Sequence, residues 1–268
     1  MNAVNGRSLP FASRRLTHPL VLFAILALLL LMAGWVRLAQ SAQSEPTASL
    51  SSRLECSPWQ VFEDPEGGLD WPQAVARPAA DWRTLPEAAL SPGRSASAWW
   101  LRATLTNPGE RPVAAILELP WPLLDWLDVW VLEDGQVREV WHTGDRRPFA
   151  SRPLDTRTFA FPLEIPPGAH REILLRTRMD NALFEPLVLR LWAPEAFWQE
   201  ARHHDLWAGL YFGVLLGIGC YNLLLFLSTR ERTFGLYATY LGTLVLWAAG
   251  YRGYGFELLW PEAVGWQK

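Results

Sequence analysis

The sequence predicts an all-β domain, an antiparallel sandwich, followed by α-helical transmembrane segments. Between about Trp59 and Trp192, apolar and polar residues alternate with period two in short runs broken by turn residues. Beyond it come two apolar blocks, of which Leu206 to Leu227 is uncharged and long enough to cross a ~30 Å hydrocarbon layer. Composition fits this division: 50% of residues are hydrophobic, yet mean hydropathy is only +0.04, so the apolar residues are gathered into blocks. At 268 residues the chain has room for one ordinary domain and several membrane segments. Its 16 Trp suit both a β core and a membrane interface.

Residues 1–19 carry Arg7, Arg14 and Arg15 and no acid, which reads as a cytoplasmic N-terminal region. Residues 20–38 hold the uncharged run Leu20–Val36, a signal peptide or a signal-anchor helix. Small residues at Ala39-Gln40-Ser41 would suit cleavage, and Arg37 weakens that site. Either outcome puts the β-rich region outside the cytoplasm. Residues 39–56 are small and polar, a flexible linker. The two cysteines, Cys56 and Cys220, would sit at different membrane depths, so both are expected as free thiols.

Residues 57–195 form the predicted sandwich. Trp99, Leu101, Ala103 and Leu105 alternate with Trp100, Arg102, Thr104 and Thr106 before Asn107-Pro108-Gly109 turns the chain. Further strands are expected at Val113–Leu119, Leu127–Leu132, Val137–Thr143, Arg157–Ile165, Glu172–Thr177 and Leu187–Trp192, with Asp134-Gly135, Pro166-Pro167-Gly168 and Asp180-Asn181 as turns. No helix is expected between them. Pro194-Glu195 is a good helix start, and nothing breaks that helix before Leu206, so it is expected to run on into the membrane.

The membrane part reads as a transmembrane helix over 203–228, a cytoplasmic loop at 229–233 containing Arg230 and Arg232, a second helix over 234–251, and an extracytoplasmic segment from 252. Gly209, Gly213, Gly217 and Tyr221 fall on one helical face, a small-xxx-small row that admits a close neighbour; Asn222 beside it is expected to bond to another helix. Static packing and a sliding signalling face are both open for this row.

Three groups could carry chemistry. The loop 144–153 concentrates Asp145, Arg146 and Arg152, with Arg157 following, and Arg forks suit carboxylate or phosphate; the plainer reading is an Asp145–Arg bridge holding the loop. Trp100, Trp130 and Trp192 lie in the outward phase and could stack sugar rings, unless they pack beneath loops or on the membrane-proximal surface. His203-His204-Asp205 lacks metal-ligand spacing and reads as a juxtamembrane polar cap. No metal, cofactor or catalytic residue is expected, and a net charge of −3 offers no basic stripe for nucleic acid.

The order of several segments resembles the bacterial seven-transmembrane receptors with diverse intracellular signalling modules. Trp99-Trp100-Leu101-Arg102 with Thr106-Asn107, Leu117-Glu118-Leu119-Pro120, Leu124–Val129, Thr143-Gly144-Asp145, Pro148-Phe149, Arg152-Pro153 and Arg157 with Phe159–Leu163 resemble their type-2 extracellular domain. Gly209–Gly213, Tyr221-Asn222-Leu223, Arg230-Glu231-Arg232, Tyr254-Gly255-Phe256 and Leu259-Trp260-Pro261 resemble the first two receptor helices and the loop after them. The resemblance implies a jelly-roll-like sandwich similar to carbohydrate-binding modules, placed in the periplasm of a bacterial inner-membrane protein. It implies as partners the lipid bilayer, a small extracytoplasmic ligand such as a carbohydrate, and a second copy of the full-length receptor. A cytoplasmic module such as a histidine kinase or diguanylate cyclase would supply the output, so the chain is expected to be a non-enzymatic receptor portion truncated at 268. A membrane-tethered carbohydrate-binding protein and a membrane-anchored glycan enzyme are the competing readings.

Overall fold

The structure, a computed structural model, describes residues 50, 53–180 and 186–264. The expected cytoplasmic region, the 20–38 segment and most of the linker lie outside the described residues; the end of the 39–56 linker is corrected, since Leu50 and Leu54 are buried in the core and Glu55–Cys56 pairs with Thr106 and Leu105.

The strands are β1 (Glu55–Cys56), β2 (Gln60–Asp64), β3 (Arg83–Thr84), β4 (Ala89–Leu90), β5 (Ala98–Thr106), β6 (Val113–Leu119), β7 (Trp126–Glu133), β8 (Gln136–Thr143), β9 (Phe159–Ile165), β10 (His170–Arg178), β11 (Leu187–Val188) and β12 (Arg190–Trp192). A seven-stranded antiparallel sheet has the order β3-β2-β5-β10-β7-β8, with β1 also on β5; it faces a three-stranded sheet β12-β6-β9, and β4 pairs β11. Val113–Leu119 is a strand with the bounds read from the sequence. The run 187–192 divides into two strands because Val188 pairs with Ala89 while Arg190 pairs with Glu118. Arg157 and Thr158 lie outside β9, where the Arg157 carbonyl accepts from Arg152.

Register explains the core. Val61, Leu101, Leu175, Val129 and Trp141 are successive partners across five strands. Their side chains share the inner face, where Leu101, Leu175 and Val129 bury fully against Leu117, Phe159 and Phe161 of the smaller sheet. One residue along, Phe62, Trp100, Arg176, Asp128 and His142 form the corresponding outer row, as the two-residue period of a strand requires. The turns carry their own logic. Asn107 is fully buried; its carbonyl oxygen accepts from the Gly109 amide (3.0 Å) and its amide donates to the carbonyls of Arg111 (2.7 Å) and Ile165 (2.9 Å). Asp134 and Gly135 both have positive φ (51° and 75°), matching a two-residue hairpin whose twist follows the strands.

One helix within the sandwich departs from the sequence expectation. Helix α1 (Trp71–Val75) opens on a capping box in which Asp70 and Gln73 satisfy each other's backbone amides. Five residues are too few to show a helical period in the sequence.

Helix α2 (Pro194–Thr229) is 36 residues without a break, about 54 Å at 1.5 Å per residue. It ends where Arg230 adopts φ 58°, and α3 (Arg232–Tyr251) returns antiparallel beside it. Among the described residues, α2 is the one helix long and apolar enough to cross a membrane by length and composition, with a mean hydropathy of 2.0 in its best window. At 20 residues α3 has the length, ~30 Å, while Tyr237, Thr239, Tyr240 and Thr243 dilute its apolarity.

Candidate functional site

The sandwich and the helix pair meet at a built junction. Trp192, at the end of β12, packs with Ile116 and Ala160 of the smaller sheet and with Phe197 in the first turns of α2. Its indole donates to Glu118 (2.7 Å), whose other oxygen accepts from the Thr158 hydroxyl (3.0 Å), so a buried carboxylate is satisfied on both sides. A strand end and a 36-residue helix are therefore joined through a single residue, Ala193.

The segment after α3 closes the junction from the other side. Gly253 has φ +85°, and a Cβ there would lie 2.8 Å from the Pro122 Cβ and 3.0 Å from the Arg157 carbonyl. Phe256, in a short π-helical turn (Gly255–Leu259), is buried edge-on against Phe149 with centroids 5.7 Å apart. The Phe149 amide donates to the Pro261 carbonyl (3.1 Å). Tyr254 donates its hydroxyl proton to Asp205 (2.9 Å) and contacts His204 Nδ1 at 2.8 Å. Thus the chain after α3 sits on the same side as the sandwich, and the Arg230–Arg232 turn lies at the far end of α2.

Arg152 is the centre of this clamp. It is buried, its guanidinium donates to the carbonyls of Thr156 (3.0 Å) and Arg157 (2.5 Å), and it lies over the rings of Phe159 (4.2 Å) and Phe256 (5.5 Å). Burial lowers its proton affinity to about 10, opposed by Glu257 and Asp145.

Between the smaller sheet, the outer turns of α2 and the end of α3 is a cleft of about 450 Å³. Its walls carry Trp192, Trp198 and Tyr251 and charged groups of both signs, among them Arg157, Arg252, Asp205 and Glu257. Burial first, then the neighbouring Arg157 charge, lowers the proton affinity of Arg252. Burial also raises that of Glu257, and Asp205 adds to it.

Comparison with known families agrees with this two-part build. Residues 57–191 match the family described as 7TMR-DISM extracellular 2, and residues 204–268 match 7TM diverse intracellular signalling. The chain belongs to the 7TMR-DISM receptors. No curated protein matches it. The β-rich part is the extracellular sensor domain of a membrane receptor, and α2 and α3 belong to its seven-helix membrane part.

Within the receptor, the residues singled out from sequence scatter. Trp100 and Trp130 share the outer face of the large sheet, stacked at 5.5 Å and 19°, with Phe62 stacked on Trp100 at 6.2 Å. Neither is exposed: α1 and Trp82 cover them. Trp192 is in the other sheet, against Phe197. The exposed three-Trp platform is therefore corrected to two buried packing sites. Strand phase fixes which face a residue takes, whereas the 64–82 segment decides whether that face sees solvent.

The 144–157 loop is corrected likewise. Arg146 pairs with Asp125 (3.2 Å) and Asp180 (3.4 Å), not with Asp145. Asp145 is buried beside Asp125, and one of its oxygens has no partner among the described residues. Burial and the Asp125 charge push its carboxyl up to about 7. Gly144 is obligatory: φ is 136° and a Cβ would lie 2.2 Å from the Asp125 carbonyl oxygen. Of the four charged candidates only Arg157 reaches the cleft.

In the receptor helices, Gly209, Gly213 and Gly217 have nothing within 4 Å of a built Cβ, and Tyr221 is exposed. The α2–α3 contact uses another face: Gly219 against Leu241, and Gly235 under the Phe226 ring. Asn222 donates to the Ile218 carbonyl of its own helix (2.8 Å), not to a neighbour. Sequence reasoning missed Tyr254, Arg252 and Glu257 as junction residues. The glycines at 253 and 255 around Tyr254 were the available signal. Among the described residues no group of His, Cys, Asp or Glu is placed to hold a metal.

Proposed function

We propose that this chain is the sensor and membrane-insertion portion of a bacterial signal-transduction receptor of the inner membrane. Its sandwich binds a small ligand in the periplasm, and α2 and α3 relay that event to a cytoplasmic output module. The chain performs no catalytic step itself, and the receptor signals as a homodimer. One observation carries the reading: β12 passes into α2 through one residue, and the same helix crosses the apolar block without a break. A displacement at the sandwich therefore has a stiff element to travel along. Ligand binding biases two packings of the 144–157 loop against Phe256, and differential affinity for them sets the signal.

For the ligand we propose a small carbohydrate, the class that the resemblance of the sandwich to carbohydrate-binding modules implies.

Topology tests the proposal. In a C56S/C220S background, Glu110→Cys should react with an impermeant maleimide in intact spheroplasts, and Glu231→Cys only after lysis. Equal labelling of both positions before lysis rejects it.

A further inference from the structure

The 144–153 loop closes over a buried pair of acids that the signalling scheme leaves unused. Asp125, just before β7, is 4% exposed, and Asp145, just after β8, is 3% exposed. The backbone holds them together: the Asp145 amide donates to the Leu124 carbonyl (2.7 Å) and the Arg146 amide to the Asp125 carbonyl (3.2 Å). Their carboxyl groups lie within hydrogen-bonding reach of each other. They are not equivalent. Asp125 accepts from the Asp180 amide (2.5 Å) and faces the Arg146 guanidinium (3.2 Å), whereas one Asp145 oxygen is buried without a partner among the described residues.

Two carboxylates so placed, away from water, repel each other. A proton on Asp145 removes the repulsion and supplies a donor between the two groups, bonding Asp145 to Asp125. Asp125 keeps the charge, since its own donors favour the ionised form. Burial, then the Asp125 charge, pushes the Asp145 carboxyl up to about 7. The other charges facing the pair are Arg146 and Arg152 of the same loop, and Asp180 after β10, which shares Arg146 and pairs with Arg178.

The loop carries any movement of Asp145 to the junction. Four residues beyond it the Phe149 amide reaches the Pro261 carbonyl (3.1 Å), and Arg152 lies over the Phe256 ring (5.5 Å). An ionised Asp145 would be driven from Asp125 and drawn to Arg152, whose charge it already feels. Both forces act on the contact with the segment after α3.

We propose that Asp125 and Asp145 form a proton-sharing pair through which the receptor senses acidity: the shared proton keeps the 144–153 loop closed on Phe256, and its loss loosens that hold. This rests on the loop–Phe256 relay proposed above, with a proton as the input. An opened loop returns Asp145 to its ordinary 3.8, so the hold is fullest below pH ~4, weakens as pH rises toward ~7 and is constant above.

Hydrogen exchange of the full chain in detergent tests it, with protection corrected for the intrinsic pH dependence of exchange. From about pH 5 to about 7, protection of the Phe149 amide should fall by roughly tenfold per unit and then level off. It should stay below that of the β5 amides, so that the opening is local. In D145N, which keeps a donor toward Asp125 and cannot ionise, the profile should be flat. His142 bonds to Asp128 beside the loop and His204 to Tyr254 at the junction, and H142Q and H204Q should both keep the slope. A flat wild-type profile overturns the proposal, as does a slope that survives in D145N or vanishes with either histidine. Should D145N fail to fold, the wild-type profile and the histidine variants decide. F256A judges the relay separately: Phe149 protection there should be low at every pH, and protection equal to wild type removes the relay. Low protection in F256A beside a flat wild-type profile removes the acid pair alone.

Discussion

Phe256 lies edge-on to Phe149 at 5.7 Å, and this one ring pair joins the segment after the second receptor helix to a loop of the sensor domain. Phe256 is almost fully buried without belonging to the inter-sheet core, from which the Arg152 guanidinium, lying over both Phe159 and Phe256, separates it. It couples two parts of the receptor instead of holding either one together.

Phe256→Ala should therefore loosen the junction and spare the sandwich. The lost contact is worth about 3 kcal/mol. Hydrogen exchange at the Phe149 amide, which donates to the Pro261 carbonyl, reads it directly. Protection there should fall by roughly 100-fold, with β5 and β10 amides unchanged. A matching fall in the strands would mean that Phe256 belongs to the core.

Trp100→Ala should cost about 3–5 kcal/mol of sandwich stability, because the side chain is fully buried in the outer stack. An exposed ligand platform would lose binding and leave stability nearly intact. Urea unfolding of the full chain, followed by sandwich Trp fluorescence, separates these outcomes.

Asp145 predicts a pH dependence with a definite sign. Its carboxyl is raised from 3.8 to about 7 in the fold, so between those values the unfolded chain has lost a proton that the folded chain keeps. Stability from this group is fullest below pH ~4, declines as pH rises toward ~7 and is flat above. Asp145→Asn should flatten that decline. Urea midpoints of both proteins from about pH 4.5 to about 7.5 check it, and parallel slopes would remove Asp145 as the cause.

Glycine substitutions should divide sharply by position. Gly144→Ala forces a Cβ to 2.2 Å from a carbonyl oxygen at φ 136°, and should cost more than about 3 kcal/mol. Gly213→Ala meets nothing within 4 Å, and should be neutral or raise helix stability by up to ~1 kcal/mol. Thermal unfolding in one detergent ranks the two. A strongly destabilising Gly213→Ala would show that another helix or copy covers that face.

Much of the strand layout was legible because a two-residue period needs only local information. The inward phase of Leu101, Ala103 and Leu105 follows from alternation, and Val113–Leu119 from a short apolar run bounded by turn residues. Strands of two residues, such as Arg83–Thr84, and the five-residue α1 are too short to carry a period. Their existence depends on partners distant in sequence. The junction was harder still. Arg157 and Arg252 are 95 positions apart, and Phe149 and Phe256 are 107, so no spacing rule links them.

Charge and apolar length along the chain determined that a β domain precedes membrane helices, and that α2 begins at Pro194 without a break. Those are properties of neighbouring residues: Pro at the first helical position starts α2, and backbone hydrogen bonding in lipid keeps its apolar block helical. Tertiary structure decided exposure, pairing and use: that Trp100 is covered, that Arg146 takes Asp125 and not Asp145, and that Phe256 returns to the sandwich. A side chain's partner depends on what the whole fold brings within a few ångströms of it, and residues far apart in sequence supply that.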